Sequence, residues 1–219
     1  MKLTNIRGLK YPDEYIIKFF FKEGLGRTCG DVVEFGCGNG NNLMLFHQYG
    51  WNITGLDINQ ESLENAKHNC SMISNNDKYV FIQHDISRGI TNLLDGKFDA
   101  ILFPNILYYI PRQSVNLLLS QVAELTKNGA HIFLRNRSIK DYRYGRGRMV
   151  ERNGFILEVE ETGEYGSLNV FYYEYELIDM LRSNLGLKTS SIQIFTVDSI
   201  NVQNGVPVYN SDIVIWGRC

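Results

Sequence analysis

Seven consecutive residues, Glu34-Phe35-Gly36-Cys37-Gly38-Asn39-Gly40, set one carboxylate and three alternating glycines directly after the apolar pair Val32-Val33. Glycines at this spacing let a backbone turn come close to a ligand at the carboxyl end of a strand, where doubly wound sheets bind their ligands. Glu34 narrows the choice of ligand. A carboxylate at the mouth of such a turn repels a pyrophosphate and attracts an ammonium or a sulfonium. The dinucleotide fingerprint also requires a third glycine where this chain has Asn41, and it seats a pyrophosphate on the helix that follows.

Two further acids stand at the ends of the next two apolar runs. Asp57 follows Gly55-Leu56, about 20 residues after the loop, where a carboxylate accepts hydrogen bonds from both hydroxyls of a ribose. Asp85 follows Gln83-His84 and is placed to accept from an adenine amine, with Ile58 and Ile86 offering apolar surface to the ring. An ammonium, a sulfonium, a ribose and an adenine together make S-adenosylmethionine. Taken singly, each acid has a structural use as well: Glu34 as a solvated strand end, Asp57 as a cap for the helix starting near Gln60, Asp85 as a cap for Ser87 onward. Cys37 reads as a small residue filling a tight turn rather than a nucleophile, because no histidine lies near it in sequence to activate it.

The elements that position these residues follow from periodicity. Pro12, Asp13 and Glu14 suit a helix first turn, and the helix Glu14 to Lys22 ends where Gly24 and Gly26 break it. Short apolar runs then alternate with amphipathic stretches: Val32 to Phe35, Asn41 to Tyr49, Trp51 to Asp57, Gln60 to Cys70, Tyr79 to Ile82, Phe98 to Phe103, Arg112 to Thr126 and His131 to Leu134. This punctuation predicts an α/β, doubly wound sheet with five parallel strands. Arg137 to Gly154 lacks periodic apolar residues and reads as a long excursion, followed by short strands at Phe155 to Glu160 and Leu168 to Phe171. A helix over Tyr173 to Asn184 comes next, with Leu177, Leu181 and Leu185 on one face. Ile192 to Val197 and Ser211 to Trp216, joined through Gly205 and Pro207, predict a closing antiparallel hairpin at the sheet edge.

Composition bounds the rest. The chain has 219 residues, of which 44% are hydrophobic and 21% charged, with a net charge of −2. That is the profile of a globular chain that folds without metals or disulfides and has no global attraction for a polyanion. One domain is expected over 1–219: an N-terminal helical segment (1–29), a cofactor-binding core (30–135), an excursion on the acceptor side (136–172) and a closing helix and hairpin (173–219). Cys29, Cys37, Cys70 and Cys219 form no C-x-x-C pair, so a reducing, cytoplasmic setting without a metal site is the expectation. No segment suits a signal core or a membrane span.

Residues 30–135 resemble the class I S-adenosylmethionine-dependent methyltransferases. Val32 to Gly40 is similar to that family's first motif, Gly55-Leu56-Asp57-Ile58 to its second and His84-Asp85-Ile86 to its third, while Phe98 to Asn105 looks like its fourth strand. The resemblance implies a mostly parallel seven-stranded sheet with an antiparallel C-terminal strand. It also implies a cofactor site at Glu34, Gly36, Cys37, Gly38, Asn39, Gly40, Asp57, Ile58, Asp85 and Ile86, with Phe103 and Pro104 beside the methyl donor.

The acceptor is less legible. Base-assisted O-methylation most often uses a histidine, but His47 and His68 fall on cofactor-side helices and His131 opens a strand at the far end of the sheet. Phe103-Pro104-Asn105-Ile106-Leu107-Tyr108-Tyr109 departs from the Asn/Asp-Pro-Pro-aromatic signature of enzymes that methylate exocyclic amines of nucleobases or glutamine amides. Asn105, Tyr108 and Tyr109 remain the catalytic candidates, one tyrosine packing in the core and the other lining the pocket. The basic stretch Arg135 to Arg148 offers Tyr142, Arg143 and Arg146 to a phosphorylated or carboxylated small acceptor. A solvated loop pairing with Glu158, Glu160, Glu161 and Glu164 accounts for the same residues. The expectation is metal-independent O- or N-methylation of a small, anionic acceptor. An RNA methyltransferase using 135–148, a nicotinamide-dependent oxidoreductase and a non-catalytic cofactor binder are the alternatives.

Overall fold

A computed structural model describes residues 3–73 and 78–219; the first two residues of the expected N-terminal segment lie outside it. Five parallel strands, β1 (Asp31–Phe35), β2 (Asn52–Asp57), β3 (Tyr79–Gln83), β4 (Phe98–Pro104) and β5 (Thr126–Arg137), join two more, β9 (Gln193–Gln203) and β10 (Val206–Arg218). Their order is β3-β2-β1-β4-β5-β10-β9. β10 runs antiparallel to both of its neighbours. The order reverses at β1, between β2 and β4, and a crevice opens at such a reversal outside the carboxyl ends of the strands.

Alternation along the strands divides the apolar residues between two cores. Val32, Ala100, Leu102, Phe133 and Val214 face helices α1 (Glu14–Lys22), α2 (Asn41–Gln48) and α3 (Gln60–Ile73). Val33, Phe35, Ile101, Phe103, Ile132 and Leu134 face α4 (Arg112–Glu124) and α5 (Glu174–Leu185). Both faces of the parallel strands are therefore covered, which is why they read as near-continuous apolar runs. Among the described residues no helix is long and apolar enough to cross a membrane.

The stretch read as an excursion is more ordered than its sequence suggests. It forms a second antiparallel sheet of β6 (Gly147–Glu151), β7 (Gly154–Leu157) and β8 (Leu168–Val170). β6 escapes a periodicity reading because it is an edge strand, mostly exposed along its length, so no apolar alternation marks it. The closing hairpin is likewise longer than expected. Asn204 and Gly205, at φ 47 and 81, make the two-residue turn of left-handed residues that matches strand twist, and the outer halves of β9 and β10 pair with each other beyond the pairing of β10 with β5.

Candidate active site

The glycine loop follows β1 with three left-handed residues, Gly36, Gly38 and Gly40, at φ 74, 50 and 74. A side chain at Gly36 would meet Ile106 at 2.6 Å, and one at Gly40 would meet Ala66 of α3 at 3.1 Å. Gly36 therefore keeps open a crevice beside Ile106, whereas Gly40 lets the loop pack on α3 and start α2. Cys37 is buried beneath the loop, with its sulfur against Gly55. Burial, with Glu34 and Asp57 nearby, pushes its thiol well above the usual range, so it is a filler and not a thiolate nucleophile.

Two cavities meet at this loop. One of about 250 Å³ is lined by Gly36, Asp57, Ile58, Asp85 and Ile86, together with Ile106 and Tyr109. The other, of about 430 Å³, is lined by Glu34, Cys37, Gly38, Asn39, Pro104, Asn105 and Tyr108, and by Leu9, Tyr11 and Asp13 from the N-terminal segment. Gly36 and Tyr109 line both. The acids and isoleucines singled out in the sequence thus fall into the first cavity, and the loop with its carboxylate into the second. The exceptions are Gly40, which packs on α3 instead, and Phe103. The Phe103 ring is fully buried and stacked on Phe35 with centroids 5.0 Å apart, so its side chain belongs to the core and does not reach either cavity.

Asp57 serves structure and leaves capacity for a ligand. Its two oxygens accept from the backbone N–H of Gly38 at 2.8 Å and of Asn59 at 2.9 Å, which ties the loop to the start of α3, and each oxygen keeps a further lone pair. Asp85 accepts from the backbone and hydroxyl of Ser87 at 3.0 and 2.6 Å and pairs with Arg88. The cap role considered for it is therefore real, and those Ser87 hydrogen bonds, outweighing burial, hold its carboxyl below the usual range.

Glu34 is not a solvated strand end. It is 1% exposed, its Oε1 accepts from Asn42 Nδ2 at 2.8 Å, and its Oε2 has no partner. Burial, helped by Asp13 and Asp57 and opposed by the Asn42 hydrogen bond, pushes its carboxyl up to about 8. An unpartnered buried oxygen beside a glycine cradle fits a ligand cation, because a cation both satisfies the oxygen and stabilises its charge.

Tyr108 is buried and Tyr109 half-exposed, with ring centroids 4.4 Å apart. Burial raises both phenols above their ordinary range, so neither is a phenolate base. Asn105 adopts a left-handed φ of 57 and donates its backbone N–H to the Arg135 carbonyl at 2.9 Å, turning the chain out of β4 toward these tyrosines. His84, not weighed as a base from sequence, lines the first cavity, but its Nε2 donates to the Gly89 carbonyl at 2.6 Å. Among the described residues no group of three or more His, Cys, Asp or Glu side chains converges on a metal position.

The basic stretch requires a correction. Arg143 is buried, and its guanidinium is held by Asp141 at 3.1 Å, by Glu164 and by Asn210 at 3.2 Å. Arg137 pairs with Glu164 at 2.9 Å and lies 4.2 Å from the Tyr108 ring centroid. Arg135 is shared between Asp13 and Asp212, at 2.6 Å each. Tyr142 donates to Glu161 and carries Arg146 over its ring at 3.9 Å. Arg143 is therefore not free to hold an anionic acceptor, and the pairing with Glu161 and Glu164 describes this stretch. Sequence reasoning missed Asp13, Asn42 and Arg135, whose hydrogen bonds lead to Glu34 from segments 8 to 101 residues away.

Residues 32–129 match the family model described as a methyltransferase domain. The matched segment holds the glycine loop after β1, Asp57 at the end of β2 and Asp85 after β3. Nodulation protein S of Azorhizobium caulinodans is 27% identical over 110 residues, 49% of this chain and 50% of that protein, so the match spans about half of that relative's length. A SAM-dependent methyltransferase of Methanosarcina mazei superposes with a TM-score of 0.68 at 18% identity, covering 94% of this chain and 98% of the other. The N-methyltransferase NodS of Bradyrhizobium japonicum does so with a TM-score of 0.58 at 13% identity, covering 94% of both chains. The methyltransferase fold thus extends over nearly the whole chain, beyond the segment matched by the family model.

Proposed function

We propose that this methyltransferase N-methylates a small molecule that presents an N–H group and carries no obligatory anion. One observation supports this reading above the others: the Tyr109 hydroxyl donates to Glu164 at 2.7 Å. With its proton so engaged, the phenol oxygen offers only lone pairs to the cavity it lines, and it can accept from an acceptor N–H. Asp13 and Glu34 line the same cavity, and the arginines nearest to it are paired with acids. This disfavours a phosphorylated or carboxylated acceptor. The structurally similar NodS protein of Bradyrhizobium japonicum is an N-methyltransferase, which supports the same reading.

In this reading Asp57 holds the ribose, Asp85 with Ile58 and Ile86 holds the adenine, and Glu34 takes the ammonium. When bound, the donor supplies a methyl group already activated by a positively charged sulfur. The protein's contribution is alignment. Asn105 and Pro104 frame the floor, Tyr109 turns the acceptor nitrogen so that its lone pair faces the methyl group, and the surplus proton leaves with the product nitrogen. Holding two reactants in line contributes on the order of 7–11 kcal/mol, so no metal is invoked.

The test is a labelled-donor assay against matched panels of small amines, alcohols, carboxylates and sugar phosphates, read by mass spectrometry. Methylated amines are the expected products, with Tyr109→Phe lowering kcat/KM roughly tenfold, as expected for loss of one hydrogen bond. Exclusive methylation of carboxylates or sugar phosphates would overturn the acceptor assignment.

A further inference from the structure

Hydrogen bonds through Asp13 and Asn42 connect Arg135 on β5 to Glu34 on β1. Arg135 on β5 donates to Asp13 Oδ2 at 2.6 Å. Asp13 caps α1 by accepting from Tyr15 N at 2.7 Å, and its own backbone N–H donates to Asn42 Oδ1 at 2.9 Å. Asn42, almost fully buried, donates Nδ2 to Glu34 Oε1 at 2.8 Å. The amide of Asn42 has a donor partner at its oxygen and an acceptor partner at its nitrogen, so only one orientation satisfies both. Glu34 is consequently held through one oxygen, and the other is left for a ligand.

The same segment is tied down along its length. Arg7 exchanges two backbone hydrogen bonds with the Asn69 side chain, which also donates to the Asn39 carbonyl in the glycine loop. Asn41 Nδ2 donates to the Tyr11 carbonyl at 3.0 Å. Residues 7 to 13 therefore form a strap over the loop, with Asp13 at the point where the strap joins α1.

We propose that Asp13, Asn42 and Arg135 are positioning residues for cofactor binding: they aim Glu34 and balance its charge, so the N-terminal strap sets donor affinity together with the glycine loop. The proposal rests on the reading that Glu34 meets the donor's ammonium. The charged and titratable groups around Glu34 are Asp13 at the start of α1, Asp57 at the end of β2 and Cys37 in the loop, with Arg135 acting through Asp13. One guanidinium is shared by Asp13 and Asp212, so removing either Asp13 or Arg135 changes the field at Glu34, with opposite signs.

The opposite signs are what the experiment reads. Calorimetric titration of the full chain with S-adenosylhomocysteine, from about pH 5.5 to about pH 7.5, where its amino group stays largely protonated, locates the acid limb of binding. Asp13→Asn removes a negative neighbour and is expected to move that limb down by about half a pH unit, whereas Arg135→Gln moves it up by a similar amount. Asn42→Ala is expected to weaken binding roughly tenfold or more. Arg135→Lys, which keeps the charge, leaves the limb near the wild-type position; if Arg135→Gln does not fold, this variant and Asp13→Asn carry the comparison. Limbs that stay put in Asp13→Asn and Arg135→Gln, or that move together in one direction, would overturn the proposal. Glu34→Ala separates the two readings: if it binds like wild type, the role of Glu34 itself fails, independently of the strap.

Discussion

Glu164 accepts a hydrogen bond from the Tyr109 hydroxyl, 55 residues away along the chain, and so joins the second sheet to the turn after β4. The same carboxylate takes Arg137 and Arg143, and these partners, outweighing burial, hold it below the usual carboxylate range. One acid thus orders the excursion and sets the hydrogen-bonding direction of a tyrosine in the cavity.

Replacing Glu164 by Ala is expected to cost about 3 kcal/mol, because it strips one partner from a mostly buried charge network. Urea denaturation measures this. Tyr109→Phe, which removes only the hydroxyl, should cost about 1 kcal/mol. Equal stability losses for the two variants would mean that Glu164 has no role beyond the tyrosine.

Glu34 makes the stability of the donor-free protein depend on pH. Its folded carboxyl, at about 8 against an ordinary 4.5, keeps its proton where the unfolded chain has lost it. The contribution is therefore fully present below about pH 4.5, declines as pH rises, and is gone above about pH 8. The loss is on the order of 5 kcal/mol, at about 1.4 kcal/mol per pKa unit. Thermal unfolding across that window should show wild type losing stability relative to Glu34→Gln as pH rises. Parallel curves for the two proteins would place the carboxyl in its ordinary range.

Gly36 and Gly38 share a left-handed conformation but differ in their surroundings. Gly36→Ala adds a clash with Ile106 to the backbone penalty and is expected to cost about 2–4 kcal/mol and to weaken S-adenosylhomocysteine binding. A side chain at Gly38 meets open space, so Gly38→Ala pays only the conformational cost, about 1–2 kcal/mol. Differential scanning fluorimetry with and without ligand compares them, and equal losses would show that Ile106 yields easily.

Local chemistry was legible where a single segment carries it. The run Val32 to Gly40 declares a strand, a glycine turn and an acid beside it within nine residues, although the burial of that acid does not show in the sequence. The apolar runs of β1, β2, β4 and β5 and the amphipathic α3 and α4 likewise announce themselves, because both faces of a parallel sheet must be covered. β6 was not legible, since an exposed edge strand needs no apolar period.

The basic stretch shows why charge patterns mislead. Arg137 and Arg143 look like an anion site in sequence, yet their partners are Glu164, Asp141 and Asn210, supplied in part by segments that a local reading cannot bring together. The identity of the loop, the sheet class and the three acids at successive strand ends were determined by sequence alone, through steric and periodic rules that act over a few residues. Which charges remain free to meet a ligand, and which side chains aim Glu34, was decided only by tertiary structure, because electrostatic pairing depends on distance in space and not along the chain.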